Sequence, residues 1–342
     1  MKSHLKNLIK VNGAISVAQF MNESLFHPKF GYYNQQNPFG KEGDFVTSSE
    51  ISQVFGELIG AYLVNLWQNK YSNKKINLVE AGAGKGTLMK DFLNFSTKIP
   101  HFSEKFNISI IEISPRLQEI QKINLKGFKV SWYKDFAEFF QKNSSDPIFF
   151  MANELFDCFA IHQFIKTKKG LVERMVGIDG EDLQFKFRPA IAPTELGVRT
   201  MKDGDFFEHS PSSQNFMSEI SAAIKQTGGI GLIIDYGYLQ STVNTLQALK
   251  DHQYQDVLKE VGNADITALV DFSALQDIAI QNNLETSIIT QREFLLALGI
   301  ESRREALLAG VISKEHKNIS SGIDRLIDRQ EMGELFKVLI CW

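Results

Sequence analysis

The chain has 342 residues, 43% of them hydrophobic and 23% charged, with a formal net charge of −3. This is the composition of a folded globular protein long enough for one domain with insertions or two close-packed ones. The charge gives no overall pull toward nucleic acid, and no apolar run approaches the ~20 residues of a membrane span. Two cysteines without a C-x-x-C, and histidines without ligand spacing, argue against a disulfide framework or a structural metal.

The start, MKSHLKNLIKVNGAISVAQFM, is basic but lacks the apolar core and cleavage site of a signal peptide. It reads as a first helix, with Ser16 capping the stretch VAQFMNESL. Next comes an acidic, Ser/Thr-rich turn in GDFVTSSEISQVFGELIG. There a serine cap competes with a role for Asp44 and Glu50 over a cleft, as part of an N-terminal lid.

From Ile76 strands and helices alternate. INLVEA, NISIIEI, GFKVSW and DPIFFMAN read as strands, and TLMKDFLNF, PRLQEIQKIN and KDFAEFFQKN as the helices between them. This order predicts a doubly wound α/β sheet with its ligand crevice at the strands' carboxyl ends. Past Asn153 the period changes to two, so residues 161–190 read as an inserted antiparallel β meander. A helix ending at Gly228-Gly229, the strand GIGLIIDYG, an irregular stretch over 238–264, a helix, the strand ETSIIT, further helices and a last strand FKVLICW follow.

The glycine loop after the first of these strands reads EAGAGKG. A P-loop needs Ser or Thr after its lysine, where Gly86 follows Lys85, and a dinucleotide loop needs G-x-G-x-x-G, where Gly82, Gly84 and Gly86 give G-x-G-x-G. Glu80 before this tight spacing, with Glu112 ending the second strand to take ribose hydroxyls, points to S-adenosylmethionine. The competing reading is a plain strand–helix turn beside an ordinary loop acid.

In such a fold the methyl group faces the loop after the fourth strand, here MANELFDCF. Asn153, Glu154 and Asp157 sit there together. Carboxylates suit a guanidinium acceptor, which has no free lone pair until its charge is localised and a proton leaves. The competing reading has Glu154 capping the next helix. Asp235 is a further candidate pocket group, while Asp265 and Thr267 read as helix caps.

Several blocks in order, among them GDFVTSSEISQVFGELIG, LVEAGAGKGTLM, IIEISPRLQEIQ, MANELFDCFAIHQF, ADITALVDFSAL and MGELFKVL, resemble the MidA-type S-adenosylmethionine-dependent methyltransferases. The resemblance spans essentially the whole chain. It implies a seven-stranded class I methyltransferase sheet. It also implies a protein arginine methyltransferase whose acceptor is a respiratory complex I subunit. Glu80, Gly82, Gly84 and Glu112 carry over as cofactor positions, and Asn153, Glu154 and Asp157 as the methyl-transfer block. The chain departs from the family at Ala83 (usually proline), at Ser48-Ser49 (usually Ala-Pro), in DCFA (usually DALP) and at Leu269, where the family has histidine.

The expected organisation is an N-terminal helical lid segment over 1–72 and a methyltransferase domain over 73–342, with insertions at 161–190 and 238–264. No room for a transit peptide and no signal peptide lead to the expectation of a bacterial cytoplasmic protein. Two alternatives stay open: transfer to a small-molecule acceptor, and a cofactor-binding assembly factor without turnover.

Overall fold

The computed structural model describes residues 1–35, 47–71, 74–191, 201–310 and 313–342. The chain divides into two compact units. One comprises Val46–Phe156, Phe216–Gly237 and Phe272–Trp342; the other comprises Met1–Phe45, Asp157–Asn215 and Tyr238–Asp271. Among the described residues no helix is long and apolar enough to cross a membrane.

The first unit is built on a twisted mixed sheet. Seven of its eight strands are β1 (Ile76–Ala81), β2 (Phe106–Ile111), β3 (Val130–Tyr133), β4 (Ile148–Asn153), β5 (Gly229–Tyr238), β6 (Thr286–Thr290) and β7 (Phe336–Cys341). Their order is β3-β2-β1-β4-β5-β7-β6. β1 to β5 run parallel, and β7 is antiparallel to both β5 and β6. β1 and β4 read INLVEA and IFFMAN and are buried at every position, as strands covered on both faces must be.

The connecting helices start where local chemistry starts them. Ser114 accepts from the Leu117 N–H ahead of Pro115, Asp135 accepts from Glu138, and Thr290 and Glu293 form a reciprocal capping box. The helices Gln53–Lys70 and Thr87–Ser96 pack their apolar sides into the core through Phe55, Ile59, Leu63, Met89 and Phe92. The helix Ser313–Ile327, which the sequence reading did not separate from its neighbours, adds Ile323 and Leu326 to that core.

The other unit holds the expected meander, and it makes its own sheet. Strands His162–Thr167, Gly170–Asp179 and Asp182–Pro189 join Ile15–Ser16 and Phe206–His209 in a five-stranded antiparallel sheet. Ser16 is both a strand residue and the cap of the helix Val17–Phe26, accepting from the Gln19 N–H at 3.1 Å. The irregular stretch after Tyr238 forms a 3-stranded sheet from Gln247–Lys250, Gln253–Gln255 and Asp265–Thr267. Asp265 and Thr267 are therefore buried strand residues.

Candidate functional site

The glycine loop leaves the carboxyl end of β1, between β2 and β4, where a parallel sheet opens its crevice. Gly82, Gly84 and Gly86 all have positive φ, of 67°, 54° and 81°. At Gly82 a side chain is also excluded by space, since a Cβ would lie 2.6 Å from Leu155 Cδ1. Backbone turns of this kind, followed at once by the helix Thr87–Ser96, present N–H groups and the positive end of the helix to a ligand.

Two buried acids flank the loop. Glu80 is 2% exposed, and its Oε2 has no hydrogen-bond partner. Burial pushes this carboxyl up to about 8; a backbone hydrogen bond from Met89 offsets part of that, and the neighbouring Glu112 adds to it. Glu112 is also buried, and burial raises its carboxyl against the hydrogen bonds it accepts. Those come from the Ser114 N–H at 2.9 Å, from Gln121 Nε2 at 3.0 Å and from the Ile113 backbone.

Gln121 is a residue the sequence reading missed. Its Nε2 also reaches the Gly84 carbonyl at 2.9 Å, and its Oε1 accepts from Trp132 Nε1 at 3.0 Å. One fully buried amide thus joins the acid after β2, the glycine loop and β3. Its only sequence signal is a polar residue on the inward face of the helix Pro115–Asn124, beside Leu117.

The loop after β4 contains the next group. Glu154 adopts φ 51°, a left-handed conformation rare for a residue with a side chain, and its N–H bonds the Ile234 carbonyl at 2.9 Å. Glu154 Oε1 accepts from the Ser48 N–H at 2.7 Å and from Asn153 Nδ2 at 3.1 Å. The carboxylate therefore does cap a helical turn, Ser48–Ile51, which lies far before it in sequence. Ser48 and Ser49 do not supply that cap, and Thr47 stands at the N-cap with its hydroxyl 3.1 Å from the Ser49 hydroxyl rather than on a backbone N–H of the turn. Asn153 Oδ1 and Ser48 Oγ are buried oxygens without partners beside this carboxylate.

Glu50 lies in the same turn and faces the glycine loop. It accepts from the Thr87 hydroxyl, and its other oxygen is 3.8 Å from Lys85 Nζ. Asp235 at the end of β5 is fully buried, with Oδ2 accepting from Phe156 N–H and Oδ1 from Tyr236 N–H, both at 2.9 Å. Those bonds give it a structural task, holding β5 to the loop after β4.

The remaining acids fall elsewhere. Asp44 lies outside the described residues. Asp157 belongs to the second unit, where it is buried and its carbonyl accepts from the Ala268 N–H at 3.0 Å. Tyr33 in that unit donates to Asp265 Oδ1 at 3.1 Å. Its hydroxyl is held well above the usual phenol range by burial first, then by Asp265, Cys158 and Asp157.

Set beside known proteins, the chain matches over residues 58–290 the model of a family described as S-adenosyl-L-methionine-dependent methyltransferases, Methyltransf_28. The chain belongs to this family. It is a methyltransferase family whose methyl donor is S-adenosyl-L-methionine. Full-length relatives agree with that membership. The chain is 35% identical to the rat (Rattus norvegicus) mitochondrial protein arginine methyltransferase NDUFAF7, covering 98% of this chain and 83% of that protein. It is 34% identical to the human (Homo sapiens) NDUFAF7, covering 98% and 82%. A Burkholderia thailandensis crystal structure with S-adenosyl-homocysteine bound shares the α/β methyltransferase fold, with TM-score 0.85 at 24% identity, over 99% of this chain and 91% of that one.

Membership in Methyltransf_28 directs attention to the glycine loop rather than to another cluster. Among the described residues His4, Glu23 and His27 bring ligand-type atoms within 4.8 Å of one another. His27 Nδ1, however, accepts from the N–H groups of Lys29 and Phe30 at 3.1 Å, which places the ring proton on Nε2 and leaves no lone pair for an ion.

Proposed function

We propose that this methyltransferase acts on arginine side chains of a protein, with the cofactor at the glycine loop and the acceptor at the loop after β4. The observation that carries the acceptor half is the Glu154 carboxylate beside the unpartnered Asn153 Oδ1 and Ser48 Oγ. Such a cluster of buried acceptors suits a group made of N–H donors and positive charge, which a guanidinium is. The NDUFAF7 relatives, named as protein arginine methyltransferases, support the same choice. Their resemblance makes a respiratory complex I subunit the first acceptor to test.

The residues present fit the cofactor. The orphaned Glu80 Oε2 is an acceptor inside a closed, low-dielectric end of β1, suited to a cationic ammonium. Glu112 keeps lone pairs for ribose hydroxyls beyond the bonds it accepts from Ile113, Ser114 and Gln121. Gly82, Gly84 and Gly86 keep the loop backbone open to close approach. When bound, S-adenosylmethionine supplies an electrophilic methyl on a sulfonium sulfur.

In this reading Glu154 and Asn153 hold the guanidinium and localise its charge away from one nitrogen. That nitrogen's lone pair forms the new C–N bond as the carbon–sulfur bond breaks. The proton it loses passes to a carboxylate, with Glu154 as the nearest base, and then to water. Glu50 acts from the cofactor side in this proposal. The reading also takes the sheet as the seven-stranded class I arrangement, residues 1–72 as the lid and 73–342 as the catalytic part. A bacterial cytoplasmic setting completes it, in keeping with two buried cysteines that are not joined in a disulfide.

The test is methyl transfer from labelled S-adenosylmethionine to purified complex I subunits, followed by amino-acid analysis of the labelled product. Methylarginine is expected. Glu154→Gln should lower turnover by at least ~100-fold. Affinity for S-adenosyl-homocysteine should stay within a few fold, because only acceptor handling is removed. Label on another residue type, or cofactor binding lost in that variant, would overturn the assignment.

A further inference from the structure

The turn Ser48–Ile51 touches both halves of the site at once. From its first residue the backbone N–H holds Glu154 Oε1 at 2.7 Å. Two residues on, the Glu50 side chain reaches the glycine loop, taking the Thr87 hydroxyl on one oxygen and lying 3.8 Å from Lys85 Nζ with the other. Thr87 opens the helix whose N-terminus faces the loop, and Lys85 stands between Gly84 and Gly86. Four residues in one helical turn move together, because their backbone bonds close on one another; here Glu50 and Ile51 N–H groups both return to the Thr47 carbonyl, at 2.9 and 3.1 Å. The turn is also backed on one side, where the Ile51 carbonyl would lie 3.1 Å from a Cβ placed at Gly322 of the helix Ser313–Ile327.

Glu154, at the other end of this linkage, is held in a strained conformation with φ 51°. A left-handed residue persists only where its surroundings over-determine it. Its N–H bond to Ile234, its carboxylate bond to Ser48 and the bond from Asn153 do so here. Two of these anchors belong to the sheet's own β4 and β5. The third is the turn, and the turn is fastened to the glycine loop by Glu50.

We propose that Glu50 is a positioning residue that transmits the state of the cofactor loop to Glu154 through the turn Ser48–Ile51. A group entering the loop bears on Lys85 and Thr87, Glu50 carries their placement to the turn, and the Ser48 N–H sets the Glu154 carboxylate. The site then orders its acceptor-side base when the cofactor side is filled. This rests on the acceptor-side role proposed for Glu154. It gives Glu50 a task that a direct catalytic carboxylate would not have.

The experiment is hydrogen–deuterium exchange of the full chain with and without S-adenosyl-homocysteine, comparing wild type, Glu50→Ala and Lys85→Met. In wild type the ligand should slow exchange in peptides covering 81–90, 47–52 and 153–156. In Glu50→Ala the response at 81–90 should remain, while those at 47–52 and 153–156 are lost. Lys85→Met should weaken the same two responses from the other end of the contact. A purely structural Glu50 would change exchange of the free protein and leave the ligand-dependent responses intact, and that result overturns the proposal. So does a wild-type response confined to 81–90. Retained methyl transfer by Glu154→Gln would instead sink the acceptor-side reading, while the exchange data judge the linkage separately.

Discussion

Replacing Gln121 by leucine keeps roughly the side-chain volume and removes a fully buried amide with three partners. The bond to the Glu112 carboxylate is charge-assisted and is worth about 1.5–3 kcal/mol, and the bonds to Gly84 and Trp132 are worth about 1 kcal/mol each. Leucine can replace none of them, so the variant loses about 4 kcal/mol. For a folding unit of roughly 200 residues that is a thermal midpoint lower by about 8–16 °C. Freed from Gln121, Glu112 also loses a bond that favours its charged form, which leaves its pKa higher still under the burial that raises it. S-adenosyl-homocysteine affinity should fall by about tenfold or more, equivalent to 1.4 kcal/mol. Circular dichroism melts and isothermal calorimetry read the two effects. A midpoint within about 2 °C of wild type with unchanged affinity would refute the idea that this amide organises the ribose-side acid.

Glu80 makes a pH prediction. Its carboxyl sits at about 8 in the folded chain against an ordinary 4.5, so between those values the native state holds a proton that the unfolded state has released. Its contribution to stability therefore declines as pH rises from 4.5 to 8 and is level above that. Glu80→Gln should abolish that slope in denaturation measured across the range; a slope unchanged by the substitution contradicts the assignment. A cation bound beside Glu80 favours the carboxylate, so S-adenosyl-homocysteine binding at pH 7 should release a proton, seen as a dependence of calorimetric heat on buffer ionisation enthalpy. Gly82→Ala meets both a positive φ of 67° and Leu155 Cδ1 at 2.6 Å. It should cost about 2–4 kcal/mol and disturb the loop carrying Glu154, measured as lower stability and weaker ligand binding. Wild-type behaviour would show that Leu155 yields freely.

The sequence by itself determined the parallel sheet and the acids that end its strands. The fully apolar runs INLVEA and IFFMAN fix buried strands, because such strands have no solvent face to alternate with. The loop EAGAGKG fixes a left-handed turn, because only glycine takes positive φ at three alternate positions without strain. Ser16, Ser114 and Asp135 announce helix starts through bonds made within three residues. These are local causes, and local causes are legible along a chain.

Tertiary structure alone decided the partners of each polar group. Nothing near Glu154 in sequence says that its carboxylate meets the N–H of Ser48, 106 residues away. Nor does the sequence say that Glu50 turns to Thr87 and Lys85, or that Gln121 joins Glu112, Gly84 and Trp132. The meander was visible as a period-two pattern, but its pairing with Ile15–Ser16 in a separate sheet was not. Periodicity records which face of an element is buried; the element that covers it is set by where the whole chain packs.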